Sequence, residues 1–130
     1  LEIDAFFMNE DRHTNNIAVI YNEKTQKYEL SPFFDQGLCM FADINQDYPI
    51  DQSLEYCLEK IEAKPFSSDF DIQLDAAEEL YGIQIGFQFT FKDIQIYLQK
   101  NSENYPREVI RRVEQLLRGQ MRKYGYLMKK

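Results

Sequence analysis

Asn9-Glu10-Asp11-Arg12-His13-Thr14-Asn15-Asn16 and, further on, Pro32-Phe33-Phe34-Asp35-Gln36-Gly37 are the two stretches whose relation decides this chain. The first gathers acids, a base, amides and the only histidine into one short loop. Residues 17–21 that follow are apolar and β-branched, which predicts a strand. Residues 22–26 read as a turn and 27–33 as the returning strand, with Ser31-Pro32 at its end. Asp35-Gln36-Gly37 then breaks the strand, and Gly37 is free to take a positive φ. Two polar clusters joined by a hairpin form the two halves of a site.

The residue types in those halves suit phosphoryl transfer. That reaction needs a carboxylate to orient and deprotonate the attacking hydroxyl, and oxygen ligands for a Mg²⁺ that bridges nucleotide phosphates. In protein kinases an Asp and an Asn five residues apart on one loop supply the base and one ligand, and an Asp-Phe-Gly follows. Asp11 and Asn16 have that spacing, and Asp35-Gln36-Gly37 stands where the second motif belongs. Loop, strand, turn, strand and Asp-x-Gly form an ordered series more specific than any one part. Singly, Asp11 suits an Asx-turn, Asn16 a cap and Asp35-x-Gly37 an ordinary turn.

In ordinary protein kinases His and Arg precede the loop Asp; here Arg12 and His13 follow it. Asn9-x-Asp11-Arg12-His13-x-x-Asn16-Ile17, with Pro32-Phe33-Phe34-Asp35-x-Gly37 after a hairpin, resembles the HipA-like Ser/Thr kinases. These share their catalytic layout with the phosphatidylinositol 3/4-kinases, whose loop also reads Asp-Arg-His-x-x-Asn. The likeness is concentrated in residues 5–38. Beyond them it rests on helical character and on Lys64-Pro65-Phe66.

The resemblance implies an α+β fold: a mostly helical kinase-like C-lobe with the hairpin between its catalytic loop and metal motif. It implies ATP and Mg²⁺ as cofactors, Asp11 as catalytic base, and Asn16 and Asp35 as metal ligands. His13 would brace the loop. Arg12 has no firm role and would pair with an acid or sit near phosphate. The five glycines, at 37, 82, 86, 119 and 125, form no phosphate loop. By resemblance that loop and a strand lysine belong to a preceding N-lobe, so residues 1–130 are expected to be a single C-terminal domain of something longer, inactive alone. Partners would be a protein substrate, the N-lobe or an antitoxin-type protein.

Composition agrees with a cytoplasmic globular domain. The 130 residues are 44% hydrophobic and 28% charged, and no apolar run approaches the ~18 residues of a membrane span. Cys39 and Cys57 have neither metal nor disulfide spacing and read as reduced, buried, small apolar residues. A lone His13 without a second histidine is a poor zinc ligand. Residues 107–130 hold eight Lys/Arg and two Glu, a net of +6, so with −7 overall the first 106 residues carry −13. A basic helix can bind nucleic acid. Pairing with the acidic body is the expectation here, because aromatics for base stacking are missing from it.

The remaining chain predicts helices. Residues 1–8 end one, with Leu1, Ala5 and Met8 on a face. A helix over 51–62 would bury Ile50, Leu54, Cys57, Leu58 and Ile61. Ser68-x-x-Asp71 reads as a capping box for 69–81, which would bury Phe70, Leu74, Ala77 and Tyr81 and stop at Gly82. Residues 83–89 alternate as a strand. Thr90-x-x-Asp93 caps a helix to about 99 with Phe91, Ile94, Tyr97 and Leu98 inward. Pro106 opens a last helix that buries Val109, Ile110, Val113, Leu116, Leu117 and Met121 and turns its arginines outward.

Two other functions fit the same residues. A kinase-derived C-lobe could serve as a non-catalytic binding or regulatory module. A metal-dependent phosphohydrolase could use Asp11, His13 and Asp35 on water.

Overall fold

A computed structural model describes residues 1–129. The fold is α+β, and among the described residues it has five α-helices and one two-stranded antiparallel hairpin. In chain order these are α1 (Glu2–Phe7), β1 (Val19–Asn22), β2 (Lys27–Leu30), α2 (Leu54–Lys60), α3 (Phe70–Tyr81), α4 (Phe91–Lys100) and α5 (Arg107–Lys123). No helix among the described residues is long and apolar enough to cross a membrane.

The core forms around α1 because Phe6 is fully buried there and stacks with Phe87 at 4.6 Å and Phe7 at 4.9 Å. α5 grips the same helix from its buried side. Gln120 Nε2 donates to the carbonyls of Ala5 at 2.9 Å and Phe6 at 3.0 Å, in the last turn of α1, where carbonyls run out of i+4 partners. Leu116 and Leu117 of α5 and Leu74 of α3 complete the apolar contact. Caps set the boundaries. Thr90 and Asp93 form the expected capping box, and Gly82 stops α3 at φ 71°, which only glycine adopts without strain.

Several expectations change. α3 is capped by Asp69, whose carboxylate accepts from Asp71 N and Ile72 N, and not by Ser68. The nearer acid satisfies the same orphan N–H groups. Residues 83–89 form no strand. Among the described residues no strand lies beside them and only Phe87 is bridged, its N–H donating to Leu127 O at 2.8 Å and its carbonyl accepting from Lys129 N at 2.7 Å. The alternation survives as burial, with Ile85, Phe87 and Phe89 packed on the core. α2 is shorter than 51–62, and Ile50 and Leu58 are exposed while Cys57 and Ile61 enter the core. Tyr81 is the last residue of α3 and is exposed. Tyr97 is exposed because it sits ~100° around α4 from Leu98.

Arg112 overturns the outward placement of the α5 arginines. It is buried and donates to the carbonyls of Phe41 (3.0 Å), Tyr48 (2.9 Å) and Pro49 (2.9 Å). Those carbonyls come from an irregular segment in which Met40 and Phe41 both take positive φ, 54° and 58°. Left-handed backbone at two successive bulky residues is costly. The Arg112 bonds, with Met40 N donating to Phe7 O at 2.9 Å, hold it in place.

Candidate active site

The first cluster is built on a buried acid that the motif does not contain. Asp4 lies on α1 and is almost wholly buried. It accepts from Asn9 Nδ2 at 2.9 Å and from Arg12 Nε at 3.1 Å to both oxygens, with Arg12 Nη2 also 3.1 Å away. Arg12 supplies the opposite charge that a carboxylate at this depth requires, and the Asn9 amide adds a further hydrogen bond. Met8 makes the geometry possible by closing α1 in a left-handed turn at φ 51°, which turns Asn9 back toward Asp4.

Arg12 carries the tie onward. Its Nη1 donates to Asn16 O at 2.8 Å and to Phe34 O at 3.2 Å. One guanidinium therefore clasps the end of the first cluster and the residue before Asp35. Of the two roles the sequence allows Arg12, pairing with an acid is the one observed. Asn9 makes a second tie: its Nδ2 reaches Gln36 Oε1 at 3.3 Å, and its Oδ1 accepts from Asp11 N at 3.1 Å.

Asp11, His13 and Asn16 converge. Asn16 sits in a 3₁₀ turn over Thr14–Asn16 and is buried. Its Nδ2 donates to Asp11 O at 2.8 Å and lies 3.5 Å from Asp11 Oδ2. The same nitrogen is 3.2 Å from His13 Nε2, which accepts in the tautomer protonated at Nδ1. His13 Nε2 is also 3.6 Å from Asp11 Oδ1, and Lys64 Nζ stands 4.0 Å from that oxygen. With Nδ2 so engaged, Asn16 Oδ1 has no hydrogen-bond donor among the described residues. Asp35 is exposed, at φ 56°, and forms no ion pair among the described residues. The left-handed residue is thus Asp35 and not Gly37. An Asp tolerates that region better than most side chains.

Hard oxygen donors from Asp11, Asn16 and Asp35 suit Mg²⁺ in kind. Among the described residues no three His, Cys, Asp or Glu side chains converge as a cage. A Mg²⁺ bound with nucleotide phosphates takes only one or two protein carboxylates, so the donor set fits that mode and not a dedicated cage.

The hairpin that separates the clusters is in register Val19↔Leu30 to Asn22↔Lys27, with Tyr21 against Tyr28 at 5.0 Å. Asn22 Oδ1 accepts from Lys24 N and Thr25 N to close the turn. β2 ends at Leu30, short of Phe33, because Pro32 has no N–H for the ladder. Both faces are exposed, with Val19, Ile20, Tyr28 and Leu30 turned to solvent. A cavity of about 140 Å³ lies at its base, between Arg12, Asn16, Ile17, Phe33 and Phe66.

The loop is further fixed by Glu10, whose carboxylate accepts from Tyr48 OH in a short hydrogen bond. Burial raises the Glu10 carboxyl above its usual value, and the Tyr48 bond lowers it only in part. Burial and the Glu10 contact push the Tyr48 phenol up. Cys57 is fully buried, whereas Cys39 is only half-buried, its thiol pushed up to about 11 mainly by burial.

Asp4 and Tyr48 escape the sequence pattern because each enters the site from a separate part of the chain. Only Asp4 carried a local signal, an acid amid the apolar side of a short helix. No protein-family model, curated protein or solved structure matches this chain.

Proposed function

We propose that this chain is the catalytic C-lobe of an ATP- and Mg²⁺-dependent Ser/Thr protein kinase of the HipA-like type. The observation that carries the proposal is the Arg12 clasp, which ties the Asp11–Asn16 loop to the backbone at Asp35 through Asn16 O and Phe34 O. Independent turn residues have no reason to be joined by a buried arginine across a hairpin. A divided site that must keep its base and its ligands in register does.

In this mechanism Asp11 accepts the proton of the substrate hydroxyl as it attacks. His13 and Asn16 hold the Asp11 loop, and Asn9 fixes Asp11 through its backbone N–H. Asn16 Oδ1 and the Asp35 carboxylate would hold Mg²⁺, which when bound to nucleotide phosphates neutralises charge on the transferred group. Lys64, facing Asp11, adds a cation at the mouth of the site. The exposed apolar hairpin suits contact with a nucleotide-binding N-lobe or an antitoxin-type partner, and the setting would be cytoplasmic.

The test is γ-phosphate transfer from ATP to a hydroxyl acceptor by the full natural polypeptide carrying this chain. Asp11→Asn should lower transfer by about 10²–10⁴-fold, the usual worth of a general base, with an unchanged circular dichroism spectrum. Transfer undiminished in that variant would overturn the assignment.

A further inference from the structure

Two features of the surface are left without partners among the described residues. The first is on α5. Its buried face holds Arg112, Leu116, Leu117 and Gln120. On the opposite side Arg107, Arg111, Arg118 and Arg122 fall within an arc of roughly 60° and run ~22 Å along the helix. The expected pairing of these cations with the acidic body is largely absent. Arg118 stacks on Phe91 at 4.2 Å and pairs with Glu114 of its own helix at 3.5 Å. Lys123, off this arc, does reach the body, at Asp71. Arg107, Arg111 and Arg122 form no ion pair with any described residue.

The second feature is on α3. Its buried face holds Phe70, Gln73 and Leu74. The opposite face presents Ile72, Asp75, Ala76 and Glu79, with Leu80 at its margin; Ile72 is 63% and Leu80 74% exposed. Asp75 and Glu79 form no ion pair with any described residue. An apolar stripe that exposed, with two free carboxylates on it, has the character of an interaction surface.

We infer that α3 of one molecule docks on the arginine ridge of α5 in a second copy of the chain. The two faces are complementary in charge and in pitch. Asp75 and Glu79 are one helical turn apart, as are Arg107 and Arg111, and again Arg118 and Arg122. Guanidiniums take carboxylates bidentately, and their aliphatic stems cover apolar side chains such as Ile72 and Leu80. A single partner thereby accounts for both features. A nucleic-acid strand would meet the ridge alone, leave the apolar stripe bare, and be repelled by the −13 carried by residues 1–106. A membrane surface is disfavoured because the ridge carries no apolar side chain to insert. The contact joins different faces of two copies, so it is heterologous and builds a ring or an open chain rather than a two-fold dimer.

The experiment is analytical ultracentrifugation of the full natural polypeptide across a concentration series at about 0.03 M and about 0.5 M salt, which bracket strong and weak screening. The inference expects association at low salt and loss of it at high salt. Arg111→Glu/Arg122→Glu and Asp75→Lys/Glu79→Lys, all at exposed positions, should each weaken association by about tenfold or more, because each sets like charges face to face. Mixed in equal amounts, the two variants present complementary faces at both junctions and should associate again. A wild-type monomer at low salt, unaltered association of either variant alone, or no recovery on mixing would each overturn the inference. So would a wild-type monomer that binds a fluorescent DNA duplex through Arg111 and Arg122.

Discussion

Replacing Arg12 by Met removes the clasp and leaves its partners in place. Asp4 would be left with 5% of its side chain exposed and without its guanidinium partner. Breaking a buried ion pair from one side costs about 3–5 kcal/mol, since the remaining charge is uncompensated. The buried carbonyl of Asn16 also loses its donor, which adds about 1–3 kcal/mol. Domains of this size are stable by about 5–15 kcal/mol, so Arg12→Met should remove roughly a third or more of the total. Asp4→Leu should cost a similar amount by stranding the Arg12 charge. The double change Asp4→Leu/Arg12→Met removes both charges and should lie nearer to wild type than the sum of the single effects, with a coupling of about 2–3 kcal/mol. Urea unfolding at pH 7 measures all four proteins. Single variants within about 1 kcal/mol of wild type, or strictly additive effects, would refute the claim that Asp4 and Arg12 form one buried unit.

Three further outcomes follow from the packing. Arg112→Met leaves the carbonyls of Phe41, Tyr48 and Pro49 without their donor and should cost about 2–4 kcal/mol in urea unfolding, against a small effect for Arg111→Met on the same helix. Tyr48→Phe removes the one hydrogen bond that lowers the raised Glu10 carboxyl, so a carboxyl-detected NMR titration should show Glu10 moving further up. A raised acid pKa means the folded state binds the extra proton, so this group's contribution falls as pH rises from the unfolded value through the folded one. Asp71 has the opposite sign. Burial raises it, but hydrogen bonds from Lys123 and Tyr124 outweigh burial and hold it below the ordinary carboxylate value. Its contribution is present above the unfolded pKa and lost as pH falls through the folded one, and Lys123→Ala should flatten that acid limb of the stability curve.

Short-range signals gave most of the elements. The Thr90–Asp93 capping box, Gly82 as a stop and the apolar spacing of Leu116 and Leu117 act within a few residues, so they are legible along the chain. Residues 83–89 show the limit of such signals. Their alternation determined which side chains face the core, but a strand also needs a second strand beside it, and among the described residues none is there. Arg112 shows another. Its position on α5 gave no sign of burial, because the three carbonyls that bury it belong to residues more than sixty positions earlier.

The sequence by itself determined the two polar clusters, the hairpin between them and the local spacing of Asp11, His13 and Asn16. These depend on backbone propensity and on residues a few positions apart, and in the structure those three side chains meet. Only the tertiary structure decided how the clusters are joined. Asp4 had to be drawn into the interior by α1 before it could anchor Arg12, and Arg12 could reach Phe34 only after the hairpin had folded back. The energy of that joint lies in burying a neutralised charge, a property of the packed molecule and of no stretch of chain alone.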